Sequence, residues 1–502
     1  MRPSLPACGN EVVLMLHGIA LASVVTLHDL TGAARQVNSI HYLPFEAFIT
    51  AALCYLVITV VLVGTFQLAE RRWLRPFAPR QRAATDAAAL ARSIGHPLWP
   101  EPAPMPDSTR IPGRRFLQSP GPSPVPDEVL HAMSRQPMDM GDPRVDETIA
   151  ACEAGLRRLL HAPEAEVFFY ATNGHGAWEV AVENLLPPGA AVLIPGTGHF
   201  SESWAVQTEA LGRRVVRTPW RPGWPIDAAD VAQALRDDPQ HQILAVFAVH
   251  TDTASGITSD MAALRAAIDA TGHPALLVVD AVASAGCTRV AMAALGANVV
   301  LGASQKGLMT PPGIGWLAAD TQAIEVAARN PAPRFYWDWR LRQSPLSYRK
   351  FCGTPPQTLL AGLAAAFDLI ALEGEDAVLE RHRRLSGAVQ AAVAGWAEAG
   401  ALGFFAQVPA SRSVSVTCIT VPDGTDVDAL RAVARDRFGV AMAGALGPLH
   451  GKAFRIGHLG DSNAATILGC LGAVQAALQV QGIPVGAGAL DRAVASLVAN
   501  GG

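Results

Sequence analysis

One acidic and one basic residue stand at the ends of two short apolar runs. Leu276 to Val279 is followed by Asp280, and Asn298 to Leu301 leads through a Gly-Ala-Ser-Gln turn to Lys306. Apolar runs of this length between turn residues are typical of buried strands in a parallel sheet. The carboxyl ends of such strands meet at one edge of an open α/β sheet, where ligands bind. We therefore expect Asp280 and Lys306 to share a site.

A carboxylate and an amine brought together in this way suit the chemistry of pyridoxal phosphate. This cofactor needs a lysine to hold its aldehyde as a Schiff base and an acid to keep its ring nitrogen protonated. Burial would also lower the pKa of the lysine, so that it can act as a base. Taken alone, such a pair is more often a surface salt bridge, and the surrounding sequence decides between the two interpretations.

The surrounding sequence resembles the cofactor-binding core of the class V aminotransferases. The resemblance is carried by DAVAS from Asp280 to Ser284 and by GASQKGLMTPPG from Gly302 to Gly313. The subgroup that it resembles most is that of the alanine–glyoxylate and serine–pyruvate (serine–glyoxylate) aminotransferases. The resemblance implies an α/β protein of the fold-type I pyridoxal-phosphate transferases. Such a protein has a large domain with a mainly parallel seven-stranded sheet and a smaller α+β C-terminal domain.

A glycine-containing loop between a predicted strand and a predicted helix matches the family's phosphate motif. It reads ATNGHGAWE from Ala171 to Glu179. Free N–H groups and the positive helix end would point at an anion there. The resemblance implies phosphate contacts by Asn173, Gly174, His175 and Gln305, although the family more often has a hydroxyl or small residue at the position of Asn173.

The resemblance also assigns contacts to the cofactor ring. Asp280 would pair with the ring nitrogen, and Lys306 would form the Schiff base. Phe200 and Val282 would cover opposite faces of the ring. Thr253, within the motif HTDTASG, would lie near the phenolic oxygen, and Asp252 in that motif replaces the family's glutamate.

Two further segments resemble family motifs in the C-terminal half. KFCGTPP, from Lys350 to Pro356, resembles a segment that reaches across a dimer to the neighbour's phosphate, so Thr354 implies a homodimer. The segment from Gly444 to Gly460 ends in GKAFRIGHLG. Its Arg455 would bind the substrate α-carboxylate, because a guanidinium is permanently charged and binds carboxylates in a bidentate manner.

The reaction implied by the resemblance is a transamination. An amino group would pass from alanine or serine to an oxoacid such as glyoxylate or pyruvate. Other class V enzymes remain as alternatives, namely a pyridoxamine–pyruvate or phosphonate transaminase, or a lyase. Cysteine desulfurase is disfavoured, because Gln305 precedes the lysine where those enzymes carry a histidine, and Cys352 lies in the predicted phosphate segment.

Residues 1–82 differ in kind from the rest of the chain. Ala47 to Leu68 contains 22 residues without a charge and is followed by an arginine-rich flank, which predicts one transmembrane helix with the catalytic part on the cytoplasmic side. Residues 1–80 resemble the C-terminal end of a polar-amino-acid ABC transporter permease, through Gly18 to Ser23, Asp29 to Thr31 and the final AERR. The alternatives are a tether to the inner (plasma) membrane, a permease-derived membrane protein, a buried core helix, or an accident of gene fusion or gene prediction.

The composition sets the remaining limits. A chain of 502 residues with a net charge of −4 indicates two or more domains and gives no sign of nucleic-acid binding. The seven cysteines are scattered without metal-like spacing, which fits a reducing compartment. We predict a permease-like fragment over 1–82, a Pro/Arg-rich linker over 83–115, a cofactor-binding large domain over 116–370 and a small domain over 371–490. A helical region from Pro355 to about Ala397 would connect the last two.

Overall fold

The structure is a computed structural model that describes residues 113–499 together with Thr50, Cys54 and Val57, which are helical. The chain divides into two compact units, Met1–Ser108 and Thr109–Gly502. Apart from those three residues, the predicted transmembrane helix over 47–68 and the permease-like fragment lie outside the described residues. Among the residues that are described, no single helix is both long and apolar enough to cross a membrane. One pair of helices, bent by 87°, meets the criterion only jointly.

Short strands alternate with helices along the large domain. The strands of residues 113–499 are β1 Phe116–Leu117, β2 Glu166–Ala171, β3 Ala191–Ile194, β4 Arg214–Arg217, β5 Ile243–Val249, β6 Thr251–Asp252, β7 Ile257–Thr258, β8 Leu276–Asp280, β9 Val299–Ala303, β10 Ile314–Ala319, β11 Gly403–Phe404, β12 Val416–Thr420, β13 Val440–Ala441, β14 Ala443–Gly444 and β15 Ala453–Gly457. The α-helices are α1 Asp127–Met133, α2 Pro143–Leu159, α3 Gly174–Leu185, α4 His199–Ala210, α5 Ala228–Arg236, α6 Met261–Asp269, α7 Thr321–Arg329, α8 Trp339–Arg342, α9 Gln357–Glu373, α10 Glu375–Ala397, α11 Val427–Phe438, α12 Ala464–Val480 and α13 Ala489–Ala499.

Seven strands form the central sheet, in the spatial order β2-β10-β9-β8-β5-β3-β4. The neighbours from β9 to β4 are parallel, whereas β10 runs antiparallel to both β2 and β9. The predicted seven-stranded α/β sheet is therefore confirmed, as a mixed sheet with one reversed strand. The carboxyl ends of β8 and β9 lie side by side at one edge.

The middle strands are apolar throughout because helices cover both faces of the sheet. On β5, Val246 and Ala248 join one buried apolar cluster, whereas Ala245 and Phe247 join another. All five residues of β8 are buried, including the terminal Asp280. Alternate side chains point to opposite faces of a strand, so this division is the expected signature of a doubly covered sheet. Burying both faces holds the strand ends rigidly.

A second core holds the C-terminal α+β region together. The four-stranded sheet β11-β12-β15-β14 packs with helices α10, α11, α12 and α13 around a separate apolar cluster. The predicted helical region from Pro355 to about Ala397 is confirmed as two helices, α9 and α10, which meet at Gly374 with a bend of 87°. Gly374 has φ +88, a conformation that glycine adopts readily and other residues rarely do. The predicted domain boundary near 370 remains a prediction.

Candidate active site

The two parallel strands β8 and β9 bring Asp280 and Lys306 to one cavity. Asp280 is the last residue of β8 and pairs with Leu301 of β9, and Lys306 follows three residues after the end of β9. The cavity is lined by Asn173, Gly174, His175, Trp178, Phe200, Val249, Thr251, Thr253, Asp280, Val282, Ala283, Gln305 and Lys306. Every residue that we expected to touch the cofactor, except Thr354, lines this one cavity.

Asp280 is buried, and two donors hold its carboxyl group. The backbone N–H of Val282 donates to Oδ1 over 2.7 Å, and the indole N–H of Trp178 donates to Oδ2 over 2.9 Å. Burial raises the pKa of Asp280 to about 6, while the two hydrogen bonds oppose that rise. The repulsion from Asp252 adds to the rise, and the attraction of Lys306 opposes it. The group can therefore hold or release a proton near neutral pH.

Lys306 has the opposite shift from the same cause. Burial, and after it the positive charge of Arg455, lower its pKa to about 8. Its Nζ donates to the carbonyl oxygen of Pro120 over 2.7 Å. The Pro120 turn is held against the lysine by Ser123, whose hydroxyl donates to the Lys306 carbonyl over 2.8 Å. The amine is thus positioned by a segment far away in the sequence, and it can lose its proton close to neutral pH.

The N-terminus of α3 forms one wall of the cavity. Asn173 caps this helix, and its Oδ1 accepts from the N–H groups of His175 and Gly176 over 3.1 and 3.4 Å. An anion bound there would share these donors with the asparagine side chain or displace it. A Cβ at Gly174 would lie 3.1 Å from Val282, so a larger residue would press on the cavity wall.

Phe200 and Gln305 line other parts of the cavity. Phe200 is fixed by a contact outside the cavity, and Gln305 has an atom without a hydrogen-bond partner. Phe200, at the start of α4, is half-buried, and its backbone N–H donates to Asp252 over 3.0 Å. Asp252 is fully buried and also accepts from Thr197, so it ties the start of α4 to the neighbouring strand end. The Oε1 atom of Gln305 is buried without any hydrogen-bond partner. An unpaired polar atom costs stability, and its presence here is consistent with a polar ligand.

Arg455 lies beside this cavity and not among its lining residues. It stands on β15 and is 6% exposed, and it donates through Nη1 to the carbonyl of Thr253 and through Nε to that of Gly444, each over 2.8 Å. A second cavity of about 390 Å³ is lined by Arg455 together with Arg431 and Asp428. Burial lowers the pKa of Arg455, although a guanidinium stays charged at neutral pH. The hydrogen bond from Arg455 to the carbonyl of Thr253, which lines the first cavity, connects the two cavities.

Thr354 lies apart from the cavity in this chain. It is exposed, in the loop between the 3₁₀ turn Ser347–Phe351 and helix α9. The segment just before it exposes large apolar side chains, among them Phe335 at 73% and Leu346 at 46%. Within one chain, Thr354 therefore does not join the residues that line the cavity.

Sequence reasoning missed two contributors to this site. Trp178 was not singled out, although it lies one helical turn after Gly174 and must therefore share its face. The Pro120 turn is the other contributor, and its hydrogen bond to Lys306 spans 186 positions. No local pattern reports such a contact, whereas the helical spacing from Gly174 would have identified Trp178.

The chain is similar to several known proteins over most of its described length. Residues 115–448 match the family model described as aminotransferase class-V. An L-aspartate–glyoxylate aminotransferase of Paracoccus denitrificans is 35% identical, over 73% of this chain and 91% of that protein. A serine–glyoxylate aminotransferase of Methylorubrum extorquens is 36% identical, over 75% of this chain and 94% of that protein. The crystal structure of ureidoglycine–glyoxylate aminotransferase from Bacillus subtilis superposes with a TM-score of 0.70 at 26% identity, over 77% of this chain and 99% of that one.

Proposed function

The chain belongs to the class V aminotransferase family and is a pyridoxal-phosphate-dependent enzyme, and we propose that it moves an amino group from alanine or serine to an oxoacid such as glyoxylate or pyruvate. The observation that carries the proposal is the cavity that Asp280 and Lys306 share at the ends of β8 and β9. The serine–glyoxylate aminotransferase at 36% identity supports the choice of substrates.

The residues of the cavity fit pyridoxal phosphate. Gln305 lines the same cavity as the N-terminus of α3, where a phosphate is stabilised, and its carboxamide NH₂ group can donate to a phosphate oxygen. Asp280 is a buried acid, and Lys306 is an amine with a lowered pKa. We propose that the phosphate is held by Asn173, Gly174, His175 and Gln305, the ring by Phe200, Thr253, Asp280 and Val282, and the aldehyde by Lys306.

When bound, pyridoxal phosphate supplies an aldehyde for the amino group and a ring that withdraws electrons from Cα. In our proposal Lys306 accepts the Cα proton at Nζ, a role that its lowered pKa favours. Asp280 holds a proton on the ring nitrogen. Arg455 binds the α-carboxylate of both substrates and thereby orients the Cα proton toward the amine. Phe200 and Val282 exclude water from the reacting atoms.

Aspartate is a second candidate amino donor. The Paracoccus relative carries aspartate in its name, and Arg431 lies beside Arg455 in the second cavity, where a second carboxylate would find a cation. The test is a comparison of kcat/KM for L-serine, L-alanine and L-aspartate, each with glyoxylate and with pyruvate. Our proposal expects serine or alanine to exceed aspartate by at least about tenfold. A reversed order would make aspartate the amino donor. Formation of L-alanine from L-cysteine without an oxoacid, with sulfide released only when a thiol reductant is added, would indicate a desulfurase.

We also propose that the enzyme is a homodimer in which Thr354 completes the partner's site. The exposed apolar side chains that precede Thr354, including Phe335 and Leu346, support an interface there. Hybrid dimers of Lys306→Ala and Thr354→Ala subunits provide the test. If Thr354 reaches the partner's site, one of the two sites in each hybrid dimer carries both substitutions. The other site carries neither and should bind the cofactor with wild-type affinity. If Thr354 serves its own chain, every site of the hybrid is defective.

Membrane association through residues 47–68 is a further proposal, with the catalytic domain on the cytoplasmic side of the inner (plasma) membrane. Its support is the uncharged run and the arginines that follow it. The full-length protein should stay in the membrane fraction after an alkaline wash, and a chain with two arginines placed within 47–68 should not. Full-length protein found only in the soluble fraction would contradict the tether.

A further inference from the structure

The indole of Trp178 makes the only side-chain hydrogen bond to Asp280 among the described residues. Trp178 is 2% exposed and lies in the first turns of α3, and its Nε1 donates to Asp280 Oδ2 over 2.9 Å. The other carboxyl oxygen accepts from the backbone N–H of Val282 over 2.7 Å. Each oxygen therefore has its own donor, and the two donors come from different elements.

We propose that Trp178 is a positioning residue that fixes the Asp280 carboxyl group in one orientation and keeps it as a carboxylate for the ring nitrogen of the cofactor. This inference rests on the proposed function and deepens it. A carboxyl group held at one oxygen can still turn about its Cβ–Cγ bond, and a donor at the second oxygen prevents that rotation. Both donors are N–H groups, which can only donate, so they stabilise the charged form of the acid.

The neighbourhood explains why such a donor is needed. Asp280 is only 3% exposed, and Asp252 adds a second negative charge nearby. The cation that opposes these effects is Lys306, whose own pKa is lowered by burial and by Arg455. His175 packs on the Trp178 ring at 4.5 Å and has a lowered pKa. Among the described residues only Trp178 and Val282 donate hydrogen bonds to the Asp280 carboxyl group, so removing the indole N–H would leave the Val282 amide as the sole donor.

The aromatic packing holds the indole in place and also provides a matched control. Trp178 stacks on Trp204 at 5.4 Å, and Trp204 stacks on Phe247 at 4.6 Å. Trp204 is fully buried, and its own Nε1 has no hydrogen-bond partner. Trp178→Phe and Trp204→Phe therefore remove the same group from the same stack. Only the first removes a hydrogen bond to Asp280.

The test measures the protonation of Asp280 in full-length protein without cofactor. Infrared difference spectra across pH 4 to 9 would follow the carboxylic acid band, and Asp280→Asn would identify it. We expect Trp178→Phe to raise the pKa of Asp280 by about one unit, and Trp204→Phe to change it by less than about a third of that. Equal shifts in both variants, or no shift in Trp178→Phe, would overturn the proposal.

Cofactor binding separates this inference from the proposed function. We expect Trp178→Phe to bind pyridoxal phosphate about tenfold more weakly than Trp204→Phe does. A wild-type protein that binds no pyridoxal phosphate would remove the proposed function but leave the infrared result standing. If Trp178→Phe does not fold, replacement of Trp178 by benzothienylalanine keeps the shape of the indole and removes only the N–H. Unchanged protonation of Asp280 in that protein would overturn the proposal.

Discussion

At the scale of residues, one physical cause prepares two groups for opposite tasks. Burial raises the pKa of Asp280 to about 6 and lowers that of Lys306 to about 8. Each shift disfavours the charged form, so the two groups approach the same pH from opposite sides. Each group can therefore gain or lose a proton at low cost near neutral pH, which is what acid–base chemistry requires.

Replacing Asp280 tests its charge separately from its shape. Asp280→Asn keeps the size of the side chain but cannot become negative, so the ring nitrogen of the cofactor would lose its anionic partner. We expect kcat to fall by at least about 100-fold, while Asp280→Glu keeps part of the activity. Steady-state kinetics of both variants with one amino donor check this. An Asp280→Asn enzyme within about threefold of wild type would show that the carboxylate is not needed.

Replacing Arg455 tests recognition of the substrate. Arg455→Lys keeps a positive charge but loses the planar fork, so we expect KM for the amino acid to rise by about 10- to 100-fold. Cofactor binding should change much less, because Arg455 does not line the cavity that contains Lys306 and a lysine keeps the positive charge beside it. Arg431→Lys makes the same change at the neighbouring arginine and is the control, because it should leave KM for a monocarboxylic amino acid unchanged. An unchanged KM for Arg455→Lys would assign carboxylate binding to another residue.

At the scale of elements, strand ends and helix ends place the chemistry. The strands β8 and β9 were predictable, because buried apolar runs between turns are a strong local signal. The helix break at Gly374 was not predicted, because helix-forming residues stand on both sides of it and a single glycine within a helical pattern does not by itself mark a bend. The positive φ of Gly374 and the angle between α9 and α10 do mark it. Contacts such as Trp178 to Asp280, 102 positions apart, depend on tertiary packing that no local pattern encodes.

The bend at Gly374 can be tested with a matched pair of glycines. Gly374 has φ +88, and nothing lies within 4 Å of a Cβ built there, so an alanine would cause backbone strain and no steric clash. We expect Gly374→Ala to lower the free energy of unfolding by about 1–3 kcal/mol. A Cβ built at Gly472, inside α12, also meets nothing within 4 Å, and Gly472→Ala should raise the free energy of unfolding by up to about 1 kcal/mol. Denaturant unfolding of both proteins checks the signs, and a stabilised Gly374→Ala would refute the strained bend.

At the scale of the whole molecule, buried histidines link stability to acid. His382 accepts from the N–H of Gly460 at Nε2 over 3.1 Å and has its Nδ1 2.7 Å from the carbonyl of Val378, so its neutral form is built into the fold. Burial lowers the pKa of His382 and of His250 to about 4, and that of His458 to about 3. Below about pH 6.5 the unfolded chain binds protons that the folded chain does not, so these groups remove stability as pH falls. The raised pKa of Asp280 acts in the opposite direction between about pH 6 and 4.

His382→Gln isolates one of these contributions, because the glutamine oxygen can still accept from Gly460 but does not titrate. We expect the dependence of the unfolding free energy on pH, between about pH 6 and 4.5, to become less steep by up to about 1.4 kcal/mol per pH unit. Denaturant titrations at a series of pH values measure it, and equal slopes in wild type and His382→Gln would contradict the linkage.

The central claim is that Lys306 binds pyridoxal phosphate and hands the amino group of a small amino acid to an oxoacid. The most direct measurement is the visible absorption spectrum of purified protein with pyridoxal phosphate, before and after L-serine or L-alanine is added. We predict a visible band that moves to shorter wavelength with the amino acid, returns with glyoxylate, and is absent in Lys306→Ala. The same band in Lys306→Ala, or no band in wild-type protein supplied with the cofactor, would contradict the account.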